Sequence, residues 1–321
     1  MDQLSTPIVL FIFNRVDTVR QVMERIAAVR PKTLFVVADG PRPHRPEDAE
    51  RCRHARDTVL RAIDWPCEVV RRFSDVNLGC DPNIVAGYDY VFSQVEDAIS
   101  LEDDCVAELS FFHYCQDMLE RYRDCGQVMH VCGINPLDRW ASGHQSYLFS
   151  QECQFGVGFA TWRRAWRFYD DALTSWKTHR ARGTNRPPWF TTDVADFFNG
   201  FGDTIPENWD YKWAYAILAN AGVSIVPTGN LIANVGFGPD ATHCTTPRPP
   251  EPTYPLEWPL VHPPSIAVDR AFDIAFRRRY SRKLHRRIQR RLEGLLRRLG
   301  KAAAIIGPPI KERAIHGPNP D

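Results

Sequence analysis

The sequence predicts an α/β fold in which helices flank an open, mostly parallel central sheet. Short runs rich in β-branched and aromatic residues alternate with amphipathic helical patterns through the first half of the chain. Three of these runs are apolar almost continuously, which is typical of strands buried on both faces of a parallel sheet. The chain has 321 residues, 44% hydrophobic and 25% charged, so it is long enough for one sizeable globular domain.

Five strands are predicted in the first half, each ending at polar or glycine-containing residues. They are IVLFIF (8–13), TLFVVA (33–38), CEVVRRF (67–73), AISL (98–101) and VMHVCG (128–133). The first intervening helix has Asp17 as its expected cap and ends before Pro31, and three more are expected at 46–63, 82–93 and 109–123. This alternation favours right-handed crossovers within one sheet.

Beyond about residue 135 the alternation gives way to aromatic segments that contain Gly and Pro. Only ENWDYKWAYAILANAG (207–222) has a clear helical pattern, with Asp210 as a candidate cap and Gly222 as the stop. We expect this half to form loops over the sheet. The Pro-rich residues 245–264 are expected to be extended and to wrap the surface or link to the tail.

The nine cysteines form no CxxC pair and no Cys/His cluster, so we expect small buried thiols in a reducing compartment. The sequence holds no run of about 18 apolar residues, the length that a membrane span needs. Its apolar stretch near the N-terminus is too short for a signal peptide. We therefore expect a cytoplasmic protein, with peripheral association at the inner face of the membrane as a further possibility.

The net charge of +1 conceals an uneven distribution. Residues 277–321 hold 14 Lys and Arg against 3 Asp and Glu, whereas residues 1–276 hold 26 against 36. Apolar residues recur at near-helical spacing between Phe276 and Leu299, so we expect a basic amphipathic helix that binds an anionic membrane surface through residues 277–299. A helix docked on the acidic body of this chain or of another protomer is the alternative. No other feature supports a nucleic-acid partner.

Three consecutive carboxylates, Glu102, Asp103 and Asp104, follow the fourth predicted strand. Ligands of open α/β sheets bind beyond the carboxyl ends of the strands. Clustered carboxylates repel one another unless a cation joins them, and Mg²⁺ or Mn²⁺ accepts such oxygen ligands together with phosphate oxygens. A solvated turn or a helix N-terminus is the alternative, but the position directly after a buried run favours a metal site.

The usual nucleotide-binding signatures are missing. The first strand is not followed by GxGxxG, and GxxxxGK[ST] occurs nowhere in the chain. A dehydrogenase or a P-loop enzyme is therefore disfavoured, which leaves an α/β protein that binds phosphates through a metal.

Eight short segments, taken in their order along the chain, resemble those of a known protein family. They are PIVLFIFNR, ADGPR, NLGC, LEDDC followed by SFFHYC, GVGFATWRRAW, WDYKW and NVGFGPDATH. Between about Pro7 and His243 the chain resembles a group of bacterial GT-A glycosyltransferases, relatives of the N-acetylglucosaminyltransferase I type whose metal motif is also Glu-Asp-Asp.

The resemblance implies a Rossmann-like GT-A fold and a domain organisation. The expected glycosyltransferase domain covers residues 1–270, followed by a basic helical tail at 271–321. Within the domain, the expected parts are a nucleotide-binding half (1–134), an acceptor- and sugar-shaping half (135–244) and a Pro-rich wrap (245–270).

The resemblance also implies roles on the donor side. Asp104 would bind the Mn²⁺ or Mg²⁺ ion that bridges the donor diphosphate, with His243 on the metal or the diphosphate. Glu102 and Asp103 would lie against the ribose or the donor sugar.

Contacts with the nucleoside are implied for Asn14, Arg15 and Asp39. Gly79 would let the backbone approach the donor. A simple turn is the alternative for Gly79, and for Asp39 with Gly40.

Inverting sugar transfer needs a carboxylate that takes the acceptor's proton, and the resemblance implies Asp210. The alternatives are that Asp210 is only a helix cap, or that the base is Glu207, Asp203 or Asp193.

Sugar and acceptor contacts are implied for Gly156, Gly158, Trp162 and Trp209. The two glycines would allow close approach, and Trp162 would stack on a sugar face, although an aromatic residue at this spacing is more often part of a core.

The expected function is therefore a metal-dependent inverting glycosyltransferase. Its donor would be a nucleotide sugar, UDP-linked and with N-acetylhexosamine as a candidate sugar, and its acceptor a glycan or a lipid-linked molecule. A sugar-1-phosphate nucleotidyltransferase is the first alternative, although FNRVDTVRQ lacks the Gly- and Arg-rich loop ending in Lys that such an enzyme carries after its first strand. A catalytically silent carbohydrate- or partner-binding module is the second.

Overall fold

A computed structural model describes residues 3–140, 143–176, 208–238 and 246–279. The chain divides into two compact units, Met1–Phe276 and Arg277–Asp321. The fold described below is that of the first unit. Most of the expected basic helix at 277–299 lies outside the described residues, as do His243, Asp193, Asp203 and Glu207.

Ten strands occur in the described residues. They are β1 Ile8–Ile12, β2 Thr33–Ala38, β3 Glu68–Phe73, β4 Asp97–Glu102, β5 Cys105–Ala107, β6 Val128–Cys132, β7 Tyr147–Ser150, β8 Phe159–Trp162, β9 Val223–Pro227 and β10 Ile232–Asn234. Eight of them form the central sheet in the order β3-β2-β1-β4-β8-β6-β9-β7, and β5 pairs with β10 in a small antiparallel sheet. Each of the five predicted strands coincides with one of these strands to within a residue or two.

Six helices have their bounds within the same residues. They are α1 Val16–Val29, α2 Glu47–Ala62, α3 Cys80–Phe92, α4 Leu109–Arg121, α5 Arg163–Trp166 and α6 Trp209–Ala219. The expected cap of α1 was wrong, because Arg15 occupies the cap position and Asp17 lies in the first turn. Residues 270–276 are also helical. None of the helices in the described ranges is long and apolar enough to cross a membrane.

The central sheet is mostly parallel, as the sequence predicts. β1 runs parallel to both β2 and β4, and β2 runs parallel to β3. β8 lies between β4 and β6 and is antiparallel to both. The α/β class is therefore confirmed, with two reversed strands from the second half of the chain: β8 inside the sheet and β7 at its edge, antiparallel to β9.

The strand alternation places apolar side chains on both faces of this sheet. Leu10 packs in a core cluster with residues of α1, α2 and α4. The next residue, Phe11, packs in a second cluster with residues of α3, α5 and α6. The sheet is thus covered by helices on both faces, and its carboxyl edge is left to the loops that follow the strands.

Candidate active site

A cavity of about 380 Å³ opens at the carboxyl ends of β1, β2 and β4. Its wall is completed by the first residues of α3 and α6 and by the segment after β10. The predicted site residues that line it are Arg15, Asp39, Gly79, Glu102, Asp103, Asp104, Trp209 and Asp210. Asn14, Gly156, Gly158 and Trp162 do not line it. Side chains from distant parts of the sequence therefore converge at the edge that the strand alternation indicates.

Two of the three consecutive carboxylates bind one guanidinium group. Arg15 Nη2 contacts Asp103 Oδ1, and Arg15 Nη1 lies 2.9 Å from Asp104 Oδ2. Asp103 is buried and accepts a further hydrogen bond from the backbone N–H of Phe13 at 3.2 Å. Burial raises the pKa of Asp103 and the charge of Asp104 adds to the rise, while Arg15 opposes it. This pairing is the reason that two adjacent acids can lie together beneath the cavity.

The side-chain carboxylate of Glu102, the last residue of β4, has no hydrogen-bond or ion-pair partner among the described residues, although Glu102 lines the cavity. Burial raises the pKa of its carboxyl well above the ordinary value, and the charges of Asp104 and Asp103 raise it further. Asp210 adds to the same rise. Glu102 and the three aspartates that act on it, Asp103, Asp104 and Asp210, are thus close enough to interact, and Arg15 pairs with only two of these four carboxylates.

This excess of negative charge fits a hard divalent cation. Mg²⁺ commonly binds one or two carboxylates together with substrate phosphates rather than a complete protein cage. The described residues contain no ready-made cluster of three or more metal-ligating side chains. Arg15 pairs with one oxygen of Asp103 and one oxygen of Asp104. The oxygen donors present are thus the right type for Mn²⁺ or Mg²⁺, with Asp104 the more exposed of the two aspartates that Arg15 binds.

Asp39 has a role other than the one expected for it. Its Oδ1 accepts hydrogen bonds from the backbone N–H groups of Gly40 and Leu78, both at 2.8 Å. Its Oδ2 accepts from Asn77 Nδ2 at 2.9 Å and from the Gly79 N–H at 3.1 Å. A carboxylate has about four lone-pair sites, and all four are used here. Asp39 therefore holds the 77–79 loop against the end of β2, and its carboxylate keeps no lone pair for a nucleoside.

Gly79 occupies the cap position of α3 with φ +88° and ψ 161°. Side chains rarely permit this backbone conformation, so the glycine is required by the turn itself. The first helical residue that follows, Cys80, also lines the cavity.

Asn14, which was expected to contact the nucleoside, does not line the cavity. Asn14 is buried, and its Nδ2 donates a hydrogen bond to Asp48 Oδ1 at 2.7 Å. Asp48 is fully buried and also binds the Arg42 side chain through Nη2 at 3.0 Å. The guanidinium of Arg42 lies 5.3 Å from the centre of the Phe13 ring, and both residues line the cavity. Asn14 thus contacts the cavity only indirectly, through Asp48 and the lining residue Arg42.

Sequence reasoning gave no role to Arg42 or Asp48. Arg42 lies in ADGPR, the segment that follows the second predicted strand. Because ligands of such sheets bind beyond the carboxyl ends of the strands, this position could have identified Arg42. Asp48 had no such signal, because it is one of three acids in the first turn of α2, where acidic residues are common for electrostatic reasons.

Gly156 and Gly158 act through packing beside the cavity. A β-carbon added at Gly156 would lie 2.7 Å from the ring of Trp209 and 3.1 Å from Asp210 Cβ. At Gly158, which has φ +58°, it would lie 2.7 Å from Ile232. These glycines therefore let other protein elements, in place of a sugar, approach the backbone.

Trp162, which was expected to stack on a sugar, does not line the cavity. Its ring is 2% exposed and belongs to the core cluster beneath α1, α2 and α4. Its Nε1 donates a hydrogen bond to the carbonyl of Leu119 at 3.1 Å. Both the apolar body and the polar atom of the side chain are therefore used within the fold.

Asp210 is the second residue of α6, and Asn208 occupies the cap position. The interpretation of Asp210 as a helix cap is therefore wrong. Its Oδ1 accepts a hydrogen bond from the backbone N–H of Tyr211 at 3.0 Å. The preceding Trp209 is 5% exposed and stacks on Phe159 at a centroid distance of 6.1 Å, which anchors the start of the helix.

No family model and no curated protein matches this chain. Solved structures with a partial likeness include the mannosyltransferase PcManGT from Pyrobaculum calidifontis in complex with GDP-Man and Mn²⁺, with 11% identity, 69% of this chain and 76% of that chain covered, and a TM-score of 0.38. The inositol-1-phosphate CTP transferase from T. maritima has 10% identity and a TM-score of 0.38. The match covers 75% of this chain and 92% of that chain. A UDP-glucose pyrophosphorylase complexed with UDP-glucose has 8% identity and a TM-score of 0.34. The match covers 71% of this chain and 92% of that chain. Likenesses this distant carry no functional argument, so the residues of the cavity have to supply it.

Proposed function

We propose that this chain is a metal-dependent inverting glycosyltransferase that uses a nucleotide-diphosphate sugar, with UDP as the nucleotide and N-acetylhexosamine as a candidate sugar. The acceptor would be a glycan or a lipid-linked molecule. One observation carries the proposal: the cluster Glu102–Asp104 at the end of β4 and Asp210 at the start of α6 line the same cavity. An acidic cluster for a cation and a separate carboxylate for proton transfer are the two parts that this reaction needs.

The donor side of the cavity rests on the acidic cluster. Asp104, with His243 as a candidate second ligand, would hold the Mn²⁺ or Mg²⁺ ion, which neutralises negative charge on the leaving diphosphate. Glu102 and Asp103 line the cavity beside Asp104, where hydroxyl groups of the ribose or the sugar could donate hydrogen bonds to them. Arg15 supplies positive charge next to the same oxygens.

Asp210 acts as the general base in this proposal. The acceptor hydroxyl oxygen forms a bond to the anomeric carbon, the bond between that carbon and the diphosphate oxygen breaks, and the hydroxyl proton passes to Asp210. A single displacement of this kind inverts the anomeric configuration. The anchored start of α6 holds the carboxylate in place, because Trp209 packs on Phe159 on one side and on Gly156 on another.

The composition of the cavity favours this reaction over nucleotidyl transfer. Attack of a sugar 1-phosphate on a nucleoside triphosphate needs no general base but brings additional negative charge, which cationic side chains have to offset. Among the described lining residues, the cationic side chains are Arg15 and Arg42, whereas six of the lining residues are Asp or Glu. A second negatively charged phosphate substrate therefore fits this site poorly.

Nucleotide release separates the two reactions. We expect the protein to release UDP from a UDP-sugar in the presence of Mn²⁺, and to release no pyrophosphate from UTP and a sugar 1-phosphate. Asp104→Ala should abolish both Mn²⁺-dependent donor binding and UDP release. Pyrophosphate release, or UDP release that is unaffected by Asp104→Ala, would contradict the proposal.

A further inference from the structure

Arg15 occupies the position from which a cation would reach the acidic cluster. Its guanidinium bridges Asp103 and Asp104, and its Nη1 lies 2.9 Å from Asp104 Oδ2. The three side chains are only 19%, 4% and 13% exposed, so solvent screens this pairing little. A guanidinium keeps its charge at any pH that a folded protein tolerates.

The surroundings of Asp104 restrict how a metal ion can reach its carboxylate. A β-carbon added at Gly236 would lie 1.9 Å from Asp104 Oδ2 and 2.8 Å from Arg15 Nη1, so the backbone at 236 covers both atoms. The other carboxylate oxygen, Oδ1, lies 3.7 Å from the sulfur of Cys105. Because two cations repel each other, a metal ion at Oδ2 and Nη1 at its present distance exclude one another.

The two aspartates differ in how firmly they are held. Asp103 is the more buried, and the Phe13 N–H fixes its second oxygen at 3.2 Å. Asp104 is more exposed, and its Oδ2 faces Arg15 and residue 236. Release of Nη1 from Asp104 can therefore occur while Nη2 stays on Asp103, which leaves the freed N–H groups directed at the cavity that Arg15 lines.

We propose that Arg15 competes with the divalent cation for Asp104 Oδ2, and that the guanidinium nitrogen displaced by the cation binds the diphosphate of the donor. Arg15 then couples the two binding steps: the cation releases the Arg15 nitrogen, and the diphosphate holds that nitrogen away from Asp104. This inference rests on the proposed function. Coupling of this kind is reciprocal, so the nucleotide must tighten cation binding by the same factor by which the cation tightens nucleotide binding.

The test is a Mn²⁺ titration of the full chain, with free Mn²⁺ measured by electron paramagnetic resonance, in the absence and presence of saturating UDP. Arg15→Met should bind Mn²⁺ alone about tenfold more tightly than the natural protein, because the competitor is gone. UDP should then tighten Mn²⁺ binding by a factor about tenfold smaller than in the natural protein, within the usual range of such couplings. Arg15→Lys, which cannot bridge two carboxylates in the same way, should fall between the two.

A charge-matched control is available beside the same cavity. Arg72 donates a hydrogen bond to the neutral amide oxygen of Asn83 at 3.3 Å, so Arg72→Met removes one positive charge without leaving a carboxylate unpaired there. Its affinity for Mn²⁺ alone should change less than about threefold, as expected for a screened charge at longer range. Thermal unfolding establishes that each variant is folded, and Arg15→Lys serves as the test if Arg15→Met is not.

The outcomes separate this inference from the proposed function. If Arg15→Met binds Mn²⁺ no more tightly than the natural protein, while Asp104→Asn abolishes binding, the competition is overturned and the metal site stands. An equal gain in Arg72→Met also overturns it, because the effect would then come from net charge alone. If the natural protein does not bind Mn²⁺ even with UDP, both are overturned.

Discussion

The backbone of Gly156 lies against the ring of Trp209, so that a β-carbon added there would be 2.7 Å from ring atom Cζ2. The neighbouring Asp210 Cβ would be 3.1 Å from the same β-carbon. The position of the proposed base thus depends on a residue that is distant in sequence and has no side chain.

We predict that Gly156→Ala lowers kcat about 10- to 100-fold, because the start of α6 has to move and a shift of about 1 Å at a reacting group costs this much. The measurement is steady-state UDP release together with thermal unfolding. Gly126→Ala is the matched control, since a β-carbon at Gly126 meets no atom within 4 Å. Equal activity of the two variants would contradict the packing argument.

Asp210→Asn tests the general base. We expect kcat to fall about 100- to 10,000-fold, the usual contribution of general base catalysis, because the amide cannot take the acceptor's proton. Mn²⁺-dependent binding of UDP should be retained, since the acidic cluster is unchanged, and calorimetric titration measures it. Near-normal turnover would show that another residue is the base.

Asp39→Asn tests the clamp on the 77–79 loop. The amide replaces one acceptor oxygen by an NH₂ group, which leaves N–H donors of Asn77 or Gly79 without their partner. These donors are only partly buried, so we expect the free energy of unfolding to fall by about 1 kcal/mol, the lower end of the cost of an unsatisfied buried donor.

The same Asp39→Asn change should raise the KM for the donor more than it changes kcat, since the loop lines the cavity but carries no proposed catalytic group. Asp64→Asn removes a carboxylate at an exposed position and serves as the control. A variant as stable as the control, with an unchanged KM, would refute the clamp.

Asp273 predicts a pH dependence of stability. It is 1% exposed, accepts a hydrogen bond from Ser150 Oγ at 2.5 Å, and burial raises its pKa to about 6. Because the folded protein holds this proton more tightly than the unfolded chain, the stabilisation is complete below about pH 4 and is lost as the pH rises through about 6.

Asp273→Asn should therefore reduce the fall in unfolding free energy between pH 4 and 7, by up to about 3 kcal/mol for a rise of about two pKa units. Urea unfolding at several pH values measures it. Parallel pH profiles for the variant and the natural protein would exclude this assignment.

The basic tail gives a prediction that the sequence alone supports. Residues 277–321 carry 14 Lys and Arg against 3 Asp and Glu, and each cation near an anionic membrane surface contributes about 1 kcal/mol. Deletion of residues 277–321 should abolish binding to vesicles that contain phosphatidylglycerol, measured by co-sedimentation. Vesicles of phosphatidylcholine alone are the control, and unchanged binding after the deletion would contradict the membrane role.

Local patterns were sufficient to predict five of the eight strands of the central sheet and the edge of it that holds the cavity. The runs at 8–13 and 33–38 coincide with β1 and β2, because continuous apolarity is required of a strand covered on both faces. Glu102–Asp104 were predicted at the site because connectivity alone places the residues after parallel strands at one edge. The short strand β8 was not predicted, since four residues are too few for a periodic pattern and its neighbours β4 and β6 are distant in sequence.

The sequence by itself determined the fold class, the edge of the sheet that carries the cavity, and the acidic residues at that edge. Only the tertiary structure decided which polar atoms remain available there. The Asp39 carboxylate is used by residues 77–79, Asn14 by Asp48, and the Trp162 ring by the core. The periodicity of the sequence shows which face of an element is buried, but not which atom from a distant part of the chain packs against that face. The pairing of Arg15 with Asp104 is likewise decided only by the tertiary structure.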